Sequence, residues 1–270
     1  MVKSLQVKNM DKQKSIARVA ENDEDRMLFA RLYDRLVGAE QKNIPGVTCF
    51  LSPREQVLTK RMLPEQELRF FGGQEHAERN ICCWLPDYLD DSVFWEEDGP
   101  VAAVRATYFE KDQLTHRDFL GGLMGIGIKR EAVGDIYVST GTCDFLVTRE
   151  ILPYVLDNFL SAGRTKLHVE EIPLDALNIP QVTVKEIKDT VSSLRLDSIV
   201  GSGFNMARGK ASALIETGRV SLNDLPCMKS DKLLNEGDKV SARGFGKLIL
   251  AQVGGRTKKD RISIVLQRFQ

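Results

Sequence analysis

No stretch of this sequence approaches eighteen consecutive apolar residues, and Met1 to Arg18 interleaves lysine with polar side chains instead of building an apolar segment. A helical membrane span and a secretory signal are therefore not expected, and the chain is placed in the cytoplasm. Histidine is scarce, with only His76, His116 and His168. The five cysteines (Cys49, Cys82, Cys83, Cys143 and Cys227) form no CxxC pair and no spacing that holds zinc, so reduced core thiols are expected, with no metal and no cofactor. Low-complexity tracts and internal repeats are absent too, while 42% of the 270 residues are hydrophobic. That composition excludes disorder and leaves chain enough for two or three domains.

An excess of one charge is missing overall, with 38 basic against 38 acidic residues, but not locally. From Val191 to Gln270 there are 14 basic and 7 acidic residues, a net of +7, and the preceding 190 carry the compensating −7. A compact basic module behind an acidic body is the footprint of nucleic-acid contact through one end.

The order of elements suggests an α+β chain of three domains. Residues 1–90 read as helix-rich. The stripe Met27, Leu28, Leu32, Leu36 and Val37 predicts a helix stopped by Gly38, and Ser52-Pro53-Arg54-Glu55 predicts a capped second helix. Phe70 and Phe71 before Gly72-Gly73 read as a strand and turn. Residues 91–175 read β-α-β-β-α-β, a ferredoxin-like order shared by RNA-recognition motifs, with Thr115 and Asp118 capping the first helix. The strand Cys143 to Thr148 lacks the aromatic pair that stacks bases, so RNA binding by sheet-face stacking is not expected there. Residues 176–190 read as a connector, and 191–270 as two short helices on a small sheet.

In the second of those helices, from about Asn205 to Thr217, Ala207, Ala211, Leu214 and Ile215 form the expected buried stripe. Arg208 and Lys210 fall in the first turn, where the helix dipole disfavours cations by a few tenths of a kcal/mol, roughly 0.3 to 1. A phosphate docked there would accept from free N–H groups and both side chains, so these two are the principal expected RNA contacts. Arg195, Arg219, Arg243 and Lys247 are secondary candidates, with Lys258 and Lys259 at a basic hairpin tip. Phe245, between Gly244 and Gly246, reads as a core plug more readily than as a stacking platform. In the middle domain, Arg117, Lys129 and Arg130 are possible secondary RNA contacts near a helix end and a Gly-rich turn.

The string Arg195-Leu196-Asp197, Phe204-Asn205-Met206-Ala207-Arg208-Gly209-Lys210-Ala211, Leu214-Ile215, Gly218-Arg219-Val220, Asn223 and Glu236-Gly237-Asp238 resembles the S4 RNA-binding domain. With Phe50 to Glu55, Gly72-Gly73, Ala77-Glu78-Arg79, Leu114 to Gly125 and Gly134-Asp135, nearly the whole chain resembles the YlmH family of S4-domain proteins. That resemblance implies an N-terminal domain, an RNA-recognition-like middle and a C-terminal S4 domain. It further implies binding to rRNA and tRNA on a large ribosomal subunit carrying an obstructed peptidyl-tRNA, in translation quality control. The expected state when free is a monomer, without a membrane or a small-molecule substrate. The small polar residues that frequently flank the two S4 cations in that family are Ala207 and Gly209 here, which removes hydroxyl contacts.

Enzyme motifs dissolve on inspection. His116-Arg117-Asp118 mimics a kinase catalytic loop, but Leu123 stands where that loop needs asparagine, and helix capping accounts for Thr115 and Asp118. Arg195-Leu196-Asp197 mimics the pseudouridine synthase triplet, yet the stretch from there to Gln270 is too short for that catalytic domain; Asp197 is expected to pair with a nearby cation. Nucleophile elbows, Walker motifs and synthetase signatures are absent. A non-catalytic RNA-binding translation factor is the favoured reading. The alternatives are an RNA-modifying enzyme, or a protein-interaction scaffold related to cell division or the photosystem, using the S4 domain for targeting.

Overall fold

The computed structural model describes residues 11–90, 94–95, 99–181 and 183–269. Residues 91–93, where the second segment opens in the sequence, and Val182 of the connector lie outside them. The chain is mixed α and β and divides into two compact units, Met1–Pro180 and Gln181–Gln270. Among the described residues no helix is long and apolar enough to cross a membrane.

In the first unit, helix α1 (Asp23–Lys42) starts where the Asn22 side chain accepts the Asp25 N–H, with three acidic residues in its first turn. Phe29, Leu32, Leu36 and Ala39 form its buried face. The helix continues through Gly38, the expected stop, and ends at Asn43, whose backbone is left-handed at φ 53°. Ala39 is the reason to continue: it packs so tightly on Gly46 that a Cβ there would lie 2.3 Å from its own. Strand β1 (Gly46–Leu51) leads into α2 (Pro53–Met62), which has the expected capping box: the Glu55 carboxylate accepts the Ser52 N–H at 2.6 Å. Strands β2 (Arg69–Phe71) and β3 (Asn80–Trp84) complete an antiparallel sheet in the order β1-β3-β2. The helix-rich reading of this segment missed β1 and β3. Their short apolar runs carry neither a period of two nor a helical one, because most of their side chains are buried.

The expected β-α-β-β-α-β order follows as β4 (Val101–Thr107), α3 (His116–Gly125), β5 (Val133–Ser139), β6 (Thr142–Thr148), α4 (Leu152–Asn158), the small hairpin β7 (Ser161–Ala162) and β8 (Thr165–Lys166), then β9 (His168–Ile172). The sheet runs β5-β6-β4-β9, all antiparallel, which is the ferredoxin-like order. Phe119, Leu123, Val155 and Phe159 of the helical layer bury one face against Ala102, Val104, Ala106 and Phe145. The other face is covered as well. Phe50 and Ile81 from the N-terminal sheet pack on Val101, Ala103 and Leu146, with Leu174 and Leu177 beside them. Gly134 admits Phe50, since a Cβ there would stand 2.8 Å from its ring. Lower on the same face, Arg105 grips the buried Asp144 carboxylate through two hydrogen bonds of 2.7 and 2.6 Å, and the Asn178 N–H donates to it as well.

The second unit is an antiparallel sheet of six strands in the order β10-β15-β14-β13-β11-β12. These are β10 (Val184–Val191), β11 (Val220–Leu222), β12 (Leu225–Pro226), β13 (Lys239–Ala242), β14 (Gly246–Arg256) and β15 (Ile262–Phe269). Helices α5 (Leu196–Gly203) and α6 (Arg208–Glu216) seat Leu196, Ile199, Val200, Ala211 and Ile215 on Leu248, Leu250 and Leu266. Residues 184–190, placed in the connector from sequence, are an edge strand paired with β15 along its length. Their alternating charges resemble a linker, and only a partner distant in the chain turns them into a strand.

Candidate nucleic-acid interface

Asn205, left-handed at φ 51°, closes the turn between α5 and α6, and the Met206 N–H returns to the Gly201 carbonyl. Helix α6 therefore starts at Arg208, later than expected, and Ala207 is its exposed N-cap instead of part of the buried stripe. Alanine offers the first turn no side-chain acceptor, and no acidic residue stands in that turn. Arg208 and Lys210 occupy it, as the sequence indicated.

The two cations do not act alike. Arg208 Nε lies 3.1 Å from the carboxylate of Asp197, which opens α5 and is 2% exposed. Arg195 Nε and Nη2 donate to the same carboxylate at 3.3 and 2.9 Å. Burial would raise the Asp197 carboxyl, but the hydrogen bonds of Arg195 and Arg208 outweigh it and hold the group below the usual carboxylate range. The expectation that Asp197 pairs with a cation holds. The picture of Arg208 as a freely available charge is corrected: it is anchored by an internal aspartate, with 54% of its side chain still exposed. One aspartate against two arginines leaves the trio with a net single positive charge, and the guanidiniums fixed in place.

Lys210, two residues on, points elsewhere. Its Nζ stands 5.8 Å from the Phe245 ring centre in the β13–β14 turn. Phe245 packs on Phe204 and the core, as expected, so Lys210 rides over a plugged turn and has no carboxylate partner among the described residues. Arg219 donates to the Arg243 carbonyl at 3.3 Å, which brings both to that turn, and the Arg243 side chain is exposed. Lys247, half-buried on β14, has an interaction of its own and is not a free cation. Lys258 and Lys259 are exposed at the β14–β15 tip, whose shape is set by the Arg256–Asp260 pair at 2.6 Å.

Arg261 is one of the further basic residues that the sequence places at strand ends and turns. It donates to the Thr190 hydroxyl and carbonyl, and lines with Arg208, Asp197, Asp189 and Ser202 a groove of about 360 Å³. Its position just before β15 joins it to the groove only through the pairing of that strand with β10, which no local pattern announces.

In the middle domain Arg117 and Lys129 are exposed, whereas Arg130 turns inward and donates to the Val133 and Gly134 carbonyls. Asp118 accepts from the Thr115 N–H and hydroxyl, as capping requires. The five cysteines are free thiols. Burial pushes the Cys82 and Cys143 thiols up, and Cys49 to about 11, so none of these three is a thiolate near neutrality. No group of three or more His, Cys, Asp or Glu that could hold a metal occurs among the described residues.

Residues 96–176 match the family described as "Putative RNA-binding domain in YlmH". Over 225 residues the chain is 36% identical to the ribosome-associated protein quality control protein P2 of Bacillus subtilis (strain 168), covering 82% of this chain and 86% of that protein. The solved structure of cell division protein ylmH from Streptococcus pneumoniae is 23% identical, with a TM-score of 0.49, over 60% of this chain and 98% of that one. At this level of identity and coverage to the Bacillus protein, the chain belongs to the YlmH family.

Proposed function

We propose that this protein is a non-catalytic RNA-binding factor of the ribosome, which grips structured RNA of the large subunit, with peptidyl-tRNA in place, during translation quality control. The observation that carries this reading is the start of α6. An uncapped helix N-terminus, with Arg208 and Arg195 fixed by a buried aspartate and Lys210 free of any carboxylate in the same turn, is arranged for an anion. The name of the Bacillus relative and the description of the matching family support the same role. Lys210, Arg208 and Arg195 are the proposed principal contacts, with Arg219 and Arg243 at the Phe245 turn, Lys258 and Lys259 at the hairpin tip, and Arg261 in the groove. Lys247, Arg117 and Lys129 would be lesser contacts. Recognition would be of backbone and shape, because free first-turn N–H groups and clustered cations suit phosphate oxygens.

The middle domain cannot contribute in the manner of an RNA-recognition motif, since the face that would stack bases is filled by Phe50, Ile81 and Leu174. The test is co-sedimentation with ribosomes. Lys210→Glu combined with Arg243→Glu changes two exposed side chains without touching Asp197, so melting should stay within about 0.5 kcal/mol of the parent. Association should fall markedly. Full retention of the double variant on ribosomes would refute the assignment.

A further inference from the structure

A cleft of about 490 Å³ lies within the first unit, lined by parts of α1, β1, Arg79 and the short turn Arg130–Ala132. Two of its arginines converge. Arg79 Nε and Arg130 Nη1 both donate to the Val133 carbonyl, at 3.0 and 2.5 Å, and Arg79 Nη2 reaches the Arg130 carbonyl at 3.4 Å. Their other acceptors are also carbonyls, Phe50 for Arg79 and Gly134 for Arg130. Carbonyl oxygens orient a guanidinium without neutralising it, and two such charges sharing one acceptor repel. Burial, with Arg79 close by, brings the Arg130 guanidinium down to about 10, and burial lowers Arg79 as well.

The acidic groups around the cleft are already engaged. Glu131 pairs with Arg31 at 3.1 Å, Asp25 with Arg54 at 2.7 Å, and Glu55 caps α2. Asp135 accepts from the Glu78 and Arg79 N–H groups and from the Tyr137 hydroxyl, and forms no ion pair with either arginine among the described residues. Only Glu24 stands exposed beside the cleft without a described partner, against the additional exposed cation Lys129. Asp135 and Glu55 attract both guanidiniums from a distance without pairing with them, and burial outweighs that attraction, so the arrangement is unfavourable for the empty protein and favourable for an anion that arrives. A guanidinium fork matches phosphate oxygens in pairs, and the volume falls in the range of small-molecule sites.

We propose that this cleft binds a phosphate group of a nucleotide, with Arg79 and Arg130 as paired ligands and Lys129 contacting the same group. The site lies outside the C-terminal interface and does not depend on it. The phosphate belongs to a free nucleotide or to an RNA chain, and the chemistry of capture is the same.

The test follows the arginine Nε–H resonances of the full chain by nuclear magnetic resonance. Three probes are added separately: inorganic phosphate, adenosine 5′-monophosphate, and a tetra-adenylate lacking terminal phosphates. The Arg79 and Arg130 signals should shift saturably with at least one. Response to adenosine 5′-monophosphate without the tetra-adenylate identifies a free nucleotide or a chain end, response to the tetra-adenylate identifies an internal phosphodiester, and response to inorganic phosphate alone overturns the nucleotide. Affinity should fall about tenfold in Arg130→Gln, the loss of one charged hydrogen-bonding group. It should survive in Lys210→Glu/Arg243→Glu, which separates this site from the ribosomal reading. If Arg130→Gln fails to fold, Lys129→Gln, a change at an exposed side chain, should weaken binding about threefold. Silence of both resonances with all three probes, or undiminished affinity in the variants at 129 and 130, overturns the proposal.

Discussion

Asp197 decides how much of the positive charge at the start of α6 is available and where it points. Its carboxylate is 2% exposed, while Arg195 and Arg208 keep 34% and 54% of their side chains in solvent. Asp197→Asn leaves two guanidiniums facing each other across an amide. Because the arginines are partly solvated, the expected loss is about 1–3 kcal/mol, below that for a fully buried pair, measured by urea unfolding. The pH dependence has a definite sign. The folded carboxyl titrates below its unfolded value, so its contribution is complete above about pH 4 and disappears as pH falls through the folded value. The stability gap between parent and Asp197→Asn should close in acid, and a gap that stays constant down to about pH 2 would contradict this account.

Helix α6 carries a conflict between its own stability and its proposed task. Ala207 at its N-cap is among the poorer choices, and Asp, Ser or Asn there would accept a first-turn N–H. Ala207→Asp should therefore stabilise the protein by about 0.5–2 kcal/mol while weakening RNA binding, because the new carboxylate would occupy the place proposed for the phosphate. Chemical denaturation and a filter-binding titration check the two halves separately, and a gain in both would remove the reason for leaving the helix uncapped. In the first unit, the sheet of β4, β5, β6 and β9 depends on its closed face. Gly134→Ala forces a Cβ to within 2.8 Å of the Phe50 ring and 2.9 Å of Leu146 Cβ, a clash expected to cost about 1–3 kcal/mol by thermal unfolding.

The whole molecule keeps its charges segregated by unit. Residues 181–270 hold 16 basic and 9 acidic side chains, a net of +7, and the remainder is acidic by the same amount. The proposed binding to ribosomal RNA should then weaken steeply with salt. The slope of log affinity against log salt should drop by roughly 1.4–1.8 in Lys210→Glu/Arg243→Glu, two phosphate contacts at about 0.7–0.9 each. An unchanged slope would mean that these residues meet no phosphate, and a nearly flat slope in the parent would favour an apolar scaffold.

The α+β class, the ferredoxin-like order, the capping boxes at Ser52 and Thr115, the two C-terminal helices and the cations Arg208 and Lys210 were legible in the sequence because each rests on local signals: a period, a cap, a turn. What lay beyond it depends on residues far apart in the chain. Strands β1, β3 and β10 exist only through partners they meet in space. The burial of the middle sheet's open face under Phe50 and Ile81, the engagement of Arg208 by Asp197, and the approach of Arg79 to Arg130 are likewise tertiary facts. A charge can be counted from sequence, but whether it is neutralised depends on distance, and distance is set by packing.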